Sequence, residues 1–104
     1  MSESAGRARK LEGALLVECA GWIWEQLQEE EGLLVPGELI ELILQTEREL
    51  GVQGEALPEI AKGVAAAFRE QSHLLAATDE AAITAVLAWE DEFLGLAGIP
   101  RAES

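Results

Sequence analysis

From Leu11 to Leu27 an apolar residue recurs at every fourth position: Leu11, Leu15, Cys19, Ile23 and Leu27. That spacing puts all five on one side of an α-helix, whereas a strand would scatter them over both of its faces. A second run, Gly13, Val17, Ala20 and Trp24, lies beside the first, with Trp22 on the first run's other flank. Together the runs cover about 240° of the helix circumference, where one core-facing side needs about 100°. A helix of this kind buries one side within its own chain and has a second side left over. The first run is expected in the core. Gly13, Val17, Ala20, Trp22 and Trp24 form the candidate interaction surface, with Gly13 and Gly21 permitting close helix approach and Trp24 supplying a large anchor.

The rest of the chain continues in the same style. Leu, Ala and Glu dominate, there is no Tyr or Asn, and Pro occurs only three times. These are strong helix formers with few β-branched or aromatic runs to compete, so the chain is expected to be all-α. Helix 1 is predicted over about Arg9–Glu31, stopped by Gly32. Helix 2 follows Pro36 and ends at Leu50, with Gly51 and Val52 forming a Schellman stop. Helix 3 spans Leu57–Leu75, and a break at Ala76–Thr78 precedes helix 4, capped by Thr78 or Asp79 and ended by Gly95 with Leu96 behind it. Leu50-Gly51-Val52 and Leu94-Gly95-Leu96 stand 44 residues apart, and Leu39, Leu42 and Ile43 match Ile83, Val86 and Leu87 at the same offset. The expected architecture is a four-helix bundle of two antiparallel hairpins, related by duplication or by shared packing needs, forming one domain over residues 9–98 between flexible ends at 1–8 and 99–104.

Charge narrows the choice of partners. The chain carries 20 acids against seven Lys and Arg, a net charge of −13. Three of those bases, Arg7, Arg9 and Lys10, fall within the first ten residues, which leaves the helical body still more acidic. A body of this field repels phosphate backbones and anionic lipid headgroups, so neither nucleic acid nor membrane is expected as a direct partner. No stretch approaches the ~20 apolar residues of a membrane span, and no signal peptide is evident, so a cytoplasmic location is expected. The Glu- and Ala-rich, Asn-free composition is of the kind found in thermophiles with GC-rich genomes.

Catalytic sets are hard to assemble from this sequence. Cys19 is the only cysteine and lies among Val17, Ala20 and Ile23, the setting of a small buried hydrophobe rather than a reactive thiol. With one His, and Ser only at 2, 4, 72 and 104, no nucleophile–base pair stands out. Glu70 and His73 have the Glu-x-x-His spacing of carboxylate-bridged metal sites, but His73 shares its helix face with Lys62 and Arg69, and cations beside a metal are unhelpful. Glu38-x-x-Glu41 carries half of the paired acidic motif of all-α nucleotide pyrophosphohydrolases, and no downstream Glu-x-x-Asp completes it. Glycines occur singly at helix ends, so no phosphate-cradling loop is formed. Glu47 and Glu90 fall in the middle of apolar arcs. They are expected at the rim of the core, where they reach water or meet Arg48, Arg69 or Lys62, because Glu is almost never buried unpaired.

These features point to a non-enzymatic acidic interaction module, with no cofactor and no metal, that self-associates through helix 1 as a dimer or larger oligomer and serves as a subunit or adaptor. One alternative is an acidic regulator or inhibitor, of the antitoxin, anti-sigma or nucleic-acid-mimic kind, occupying a basic site on a partner protein. Another is a small metal-binding or hydrolytic enzyme using Glu47, Glu70, His73 and Glu90.

Overall fold

The structure, a computed structural model, describes residues 11–71 and 79–101, and within them every regular element is helical. Helix α1 (Gly13–Gln26) runs on into one π-helical turn (Leu27–Glu31); α2 spans Gly37–Leu50, α3 Leu57–Gln71 and α4 Glu80–Ala97. The expected flexible segment 1–8, the end of helix 3 near Leu75, the Ala76–Thr78 break and His73 lie outside the described residues. Helix 1 starts at Gly13 rather than near Arg9, because Glu12 is extended (φ −153°) and Gly13 takes a positive φ of 58°, which leaves Leu11 ahead of the helix.

Each boundary has a local cause. Gly32 closes the π turn in the left-handed region (φ 66°), and the Leu33 N–H returns to the Leu27 carbonyl. The Pro36 carbonyl accepts from Leu39 and Ile40 to open α2, and the Ala56 carbonyl does the same for Glu59 and Ile60 at the start of α3. The Asp79 carboxylate caps α4 by accepting the Ala81 N–H at 3.0 Å. At the end of α2 the Gly51 N–H donates to Arg48 and the Val52 N–H to Glu47, the double bond of a Schellman stop.

Helix 4 does not stop at Gly95. It continues to Ala97, and Gly98 (φ 71°) takes the left-handed position, with the Ile99 N–H on the Leu94 carbonyl. The residue behind the stop decides the matter. Ile99 is buried, whereas Leu96 is 76% exposed and would give a stop at Gly95 no apolar contact. The two Schellman glycines therefore stand 47 residues apart rather than 44, and Leu50 (45% exposed) is no structural counterpart of Leu94 (1%).

Helix α1 packs on α2 and α4, α3 packs on the same two, and α2 meets α4 across the middle, contacts that fit a helical bundle. The core is built from Leu16, Cys19, Ala20, Ile23 and Leu27 of α1 with Ile40, Ile43, Leu44, Ile60, Val64, Phe68, Ile83, Val86 and Leu87. Each large side chain buried in this way contributes about 1.5–3 kcal/mol. The core side of α1 is rotated relative to expectation. Leu15 is only half-buried, while Leu16 and Ala20 lie inside, because the helix turns the gap between its two apolar runs toward its neighbours.

Candidate functional site

Two sites emerge, one inside the molecule and one on its surface. The inner site begins with Glu47 in the last turn of α2 and Glu90 in α4, both 0% exposed. They are not at the rim. Two arginines compensate for their burial. Arg48 donates from Nη1 to Glu47 Oε1 (2.9 Å) and from Nη2 to Glu90 Oε2 (2.6 Å), and also reaches the Leu44 carbonyl. Arg101 Nη2 donates to Glu47 Oε2 (3.0 Å) and Glu90 Oε1 (2.8 Å). Each carboxylate thus gives one oxygen to each guanidinium, and the four side chains close a ring. The Schellman turn at Gly98 makes this possible, since it directs Ile99 into the core and Arg101 across to α2. Residues 99–101 are therefore part of the folded body, where a flexible tail had been expected.

Electrostatics follow from the burial. Loss of water first, and the neighbouring Glu90 second, push the Glu47 carboxyl up to about 8, against the opposing pull of Arg101 and Arg48. Cys19, fully buried nearby, is pushed up to about 12 by burial and by Glu90. Such a thiol is a poor nucleophile, so the inner site pairs two carboxyl groups with two guanidiniums beside an inert sulfur.

The outer site lies on α1. Val17 is 52% and Trp24 41% exposed, in line with exposed Gly13 and Gly21, and a Cβ added at either glycine would meet nothing within 4 Å. The other two candidate residues sit elsewhere. Ala20 is 1% exposed and belongs to the core. Trp22 is half-buried against α4, edge-on to Trp89 at 5.8 Å and tilted over Phe93 at 5.9 Å, while the Trp89 indole N–H donates to Glu31. The free stripe is therefore Gly13, Val17, Gly21 and Trp24. Along one edge it opens into a cleft of about 570 Å³ between the start of α1 and the end of α2, with Leu11 and Leu16 beneath and Glu12 and Glu49 among the lining residues. Glu18 and Glu25 stand exposed along the other edge.

The remaining sequence candidates that are described do not gather. Glu70 is exposed on α3 beyond Lys62 and Arg69, which are exposed as well, and Glu38 is exposed on α2. Among the described residues no group of three or more His, Cys, Asp and Glu could hold a metal ion, and no helix is long and apolar enough to cross a membrane. Sequence reasoning missed Arg101 altogether. Its one signal was Ile99, an apolar residue just past a glycine and therefore a return to the core. No family model, curated protein or solved structure matches the chain.

Proposed function

We propose that this protein is a non-enzymatic helical interaction module, a bundle of two antiparallel hairpins that docks through the free stripe of α1. One observation carries the reading: Val17 and Trp24 lie uncovered, in register with two open glycines, on a helix whose opposite side is buried. An apolar anchor framed by small residues is the composition of a docking surface rather than of a solvated helix face. In one form of the reading the stripe meets a second copy, making a homo-oligomer that serves as a subunit or adaptor in the cytoplasm. In the other the protein is an acidic regulator seated on a basic partner. The second form is favoured by the charge left outside the ring, sixteen acids against Lys62 and Arg69 among the described residues. The same field disfavours nucleic acid and anionic membranes as partners.

The test is a pair of substitutions on neighbouring faces. Trp24→Glu should abolish docking, whether read as oligomer mass by light scattering or as partner binding, with helix content by circular dichroism retained. Ile23→Glu, one residue away but fully buried, should unfold the bundle. If Trp24→Glu and Val17→Glu alter neither the oligomeric state nor the binding of any protein, the stripe is not a docking surface.

A further inference from the structure

We infer that the occupant of the α1 stripe is an amphipathic helix of a different protein, with Lys or Arg along both edges of its apolar face. The inference rests on the stripe being a docking face and adds the chemistry of what it docks. Length comes first. Gly13 to Trp24 is about three helical turns, or roughly 16 Å at 1.5 Å per residue, a span that a short helix covers. The open space over Gly13 and Gly21 lets another helix approach closely, and the adjoining cleft leaves room beside Val17 for one of its side chains.

Charge then selects the occupant. Glu18 and Glu25 line one edge, and Glu12 and Glu49 stand at the cleft on the other. The described part of α1 has no Lys or Arg. The only one on α2, Arg48, also lines the cleft but is committed to Glu47 and Glu90. A second copy of the chain meets these edges badly in either twofold arrangement. An antiparallel pair of α1 helices carries each edge onto its own counterpart, setting Glu18 and Glu25 beside Glu18 and Glu25. A parallel pair carries each edge onto the opposite one, setting Glu18 and Glu25 beside Glu12 and Glu49. Both place acid against acid. A helix with basic edges pairs with every one of these carboxylates and keeps its apolar face for Val17 and Trp24.

The probe is a fluorescein-labelled peptide of about 18 residues with Leu at i, i+3, i+4 and i+7 and Lys on both flanks, titrated with the full chain and followed by anisotropy. Two control peptides accompany it, one of the same composition scrambled to abolish the apolar stripe and one with Glu in place of Lys. The Leu/Lys helix should bind about tenfold or more tighter than either control. Trp24→Ala should weaken it by a similar factor. Glu18→Lys with Glu25→Lys should reverse the preference, so that the Glu-flanked peptide binds better than the Lys-flanked one. Equal binding of the scrambled peptide, or no binding to a monomeric protein, overturns the inference. A wild-type dimer that is split by Trp24→Glu and competes with the peptide also overturns it, yet leaves the docking reading standing. If none of these substitutions changes either measurement, the docking reading falls as well.

Discussion

The ring of Glu47, Arg48, Glu90 and Arg101 holds four ionisable side chains in the interior, while the stripe of Gly13, Val17, Gly21 and Trp24 leaves apolar surface in water. The two regions depart from ordinary burial in opposite directions, and they differ in how far the chain itself resolves the departure. Inside, each carboxylate oxygen finds a guanidinium, so the cost of dehydration is offset within the molecule. Outside, nothing in the described residues covers Val17 or Trp24. A buried charge with all its partners marks a finished interaction, and an exposed anchor without any marks an unfinished one.

The contrast is broken most severely by removing one member of the ring. Glu90→Ala leaves two guanidiniums facing a single carboxylate, and about 3–5 kcal/mol of stability should be lost in chemical denaturation. Replacing all four side chains together, by Glu47→Leu, Arg48→Met, Glu90→Leu and Arg101→Met, should restore most of it. A loss below about 1 kcal/mol for Glu90→Ala alone would mean that water already reaches the ring.

The tryptophans of α1 sharpen the comparison next. Trp22 is held between Trp89 and Phe93, so Trp22→Ala should cost about 3 kcal/mol. Trp24→Ala should change stability by no more than about 0.5 kcal/mol. Equal losses in thermal or urea melts would show that both indoles serve the core.

A pH titration separates the ring from the surface acids. The folded form holds the Glu47 proton up to about pH 8, whereas the unfolded chain releases it near 4.5. Stability from this group is fully present below pH 4.5 and is lost as pH rises toward 8. Ordinary surface carboxylates have finished titrating by about pH 6. In a His73→Ala background, which removes the imidazole, stability should therefore keep falling from about pH 6 to 8, and Glu47→Gln should flatten that fall. A profile unchanged by Glu47→Gln would place the titration elsewhere. The smallest effect expected is that of salt. Mutual repulsion among the surface acids is screened within ~8–10 Å, so the melting temperature should rise by a few degrees from about 10 to 150 mM salt. The ring, out of water, should contribute little to that rise.

Helix positions were legible in the sequence because periodicity and glycine stops are local. Leu15 to Leu27 mark α1, although the helix starts at Gly13 and leaves Leu11 outside it, and Gly32 and Gly51 end their helices as expected. The rotation of α1 was not legible, since two apolar runs side by side fit the core at more than one angle and only the neighbouring helices choose between Leu15 and Leu16. The end of α4 was misplaced for a related reason. Gly95 and Gly98 are both plausible stops, and the burial of Ile99 rather than Leu96 selects the later one. The ring lay furthest out of reach. Glu47 and Glu90 were noticed among apolar neighbours, but their compensation depends on Arg101, which lies 54 residues from Glu47 and joins it only through the packing of α2 on α4.

Arg101 follows every described helix in the order of synthesis, so the ring closes only after α1 to α4 have been made. Until that residue leaves the ribosome, Glu47 and Glu90 have only Arg48 between them, and the interface of α2 with α4 lacks one of its two guanidiniums. The same order should hold when the finished chain folds, because a guanidinium gains from a dry carboxylate only after the helices have met. Contacts made that late weigh on the rate of unfolding more than on the rate of folding. The turn at Gly98 would then act as a brake on opening, setting how long a folded molecule persists rather than how quickly it forms.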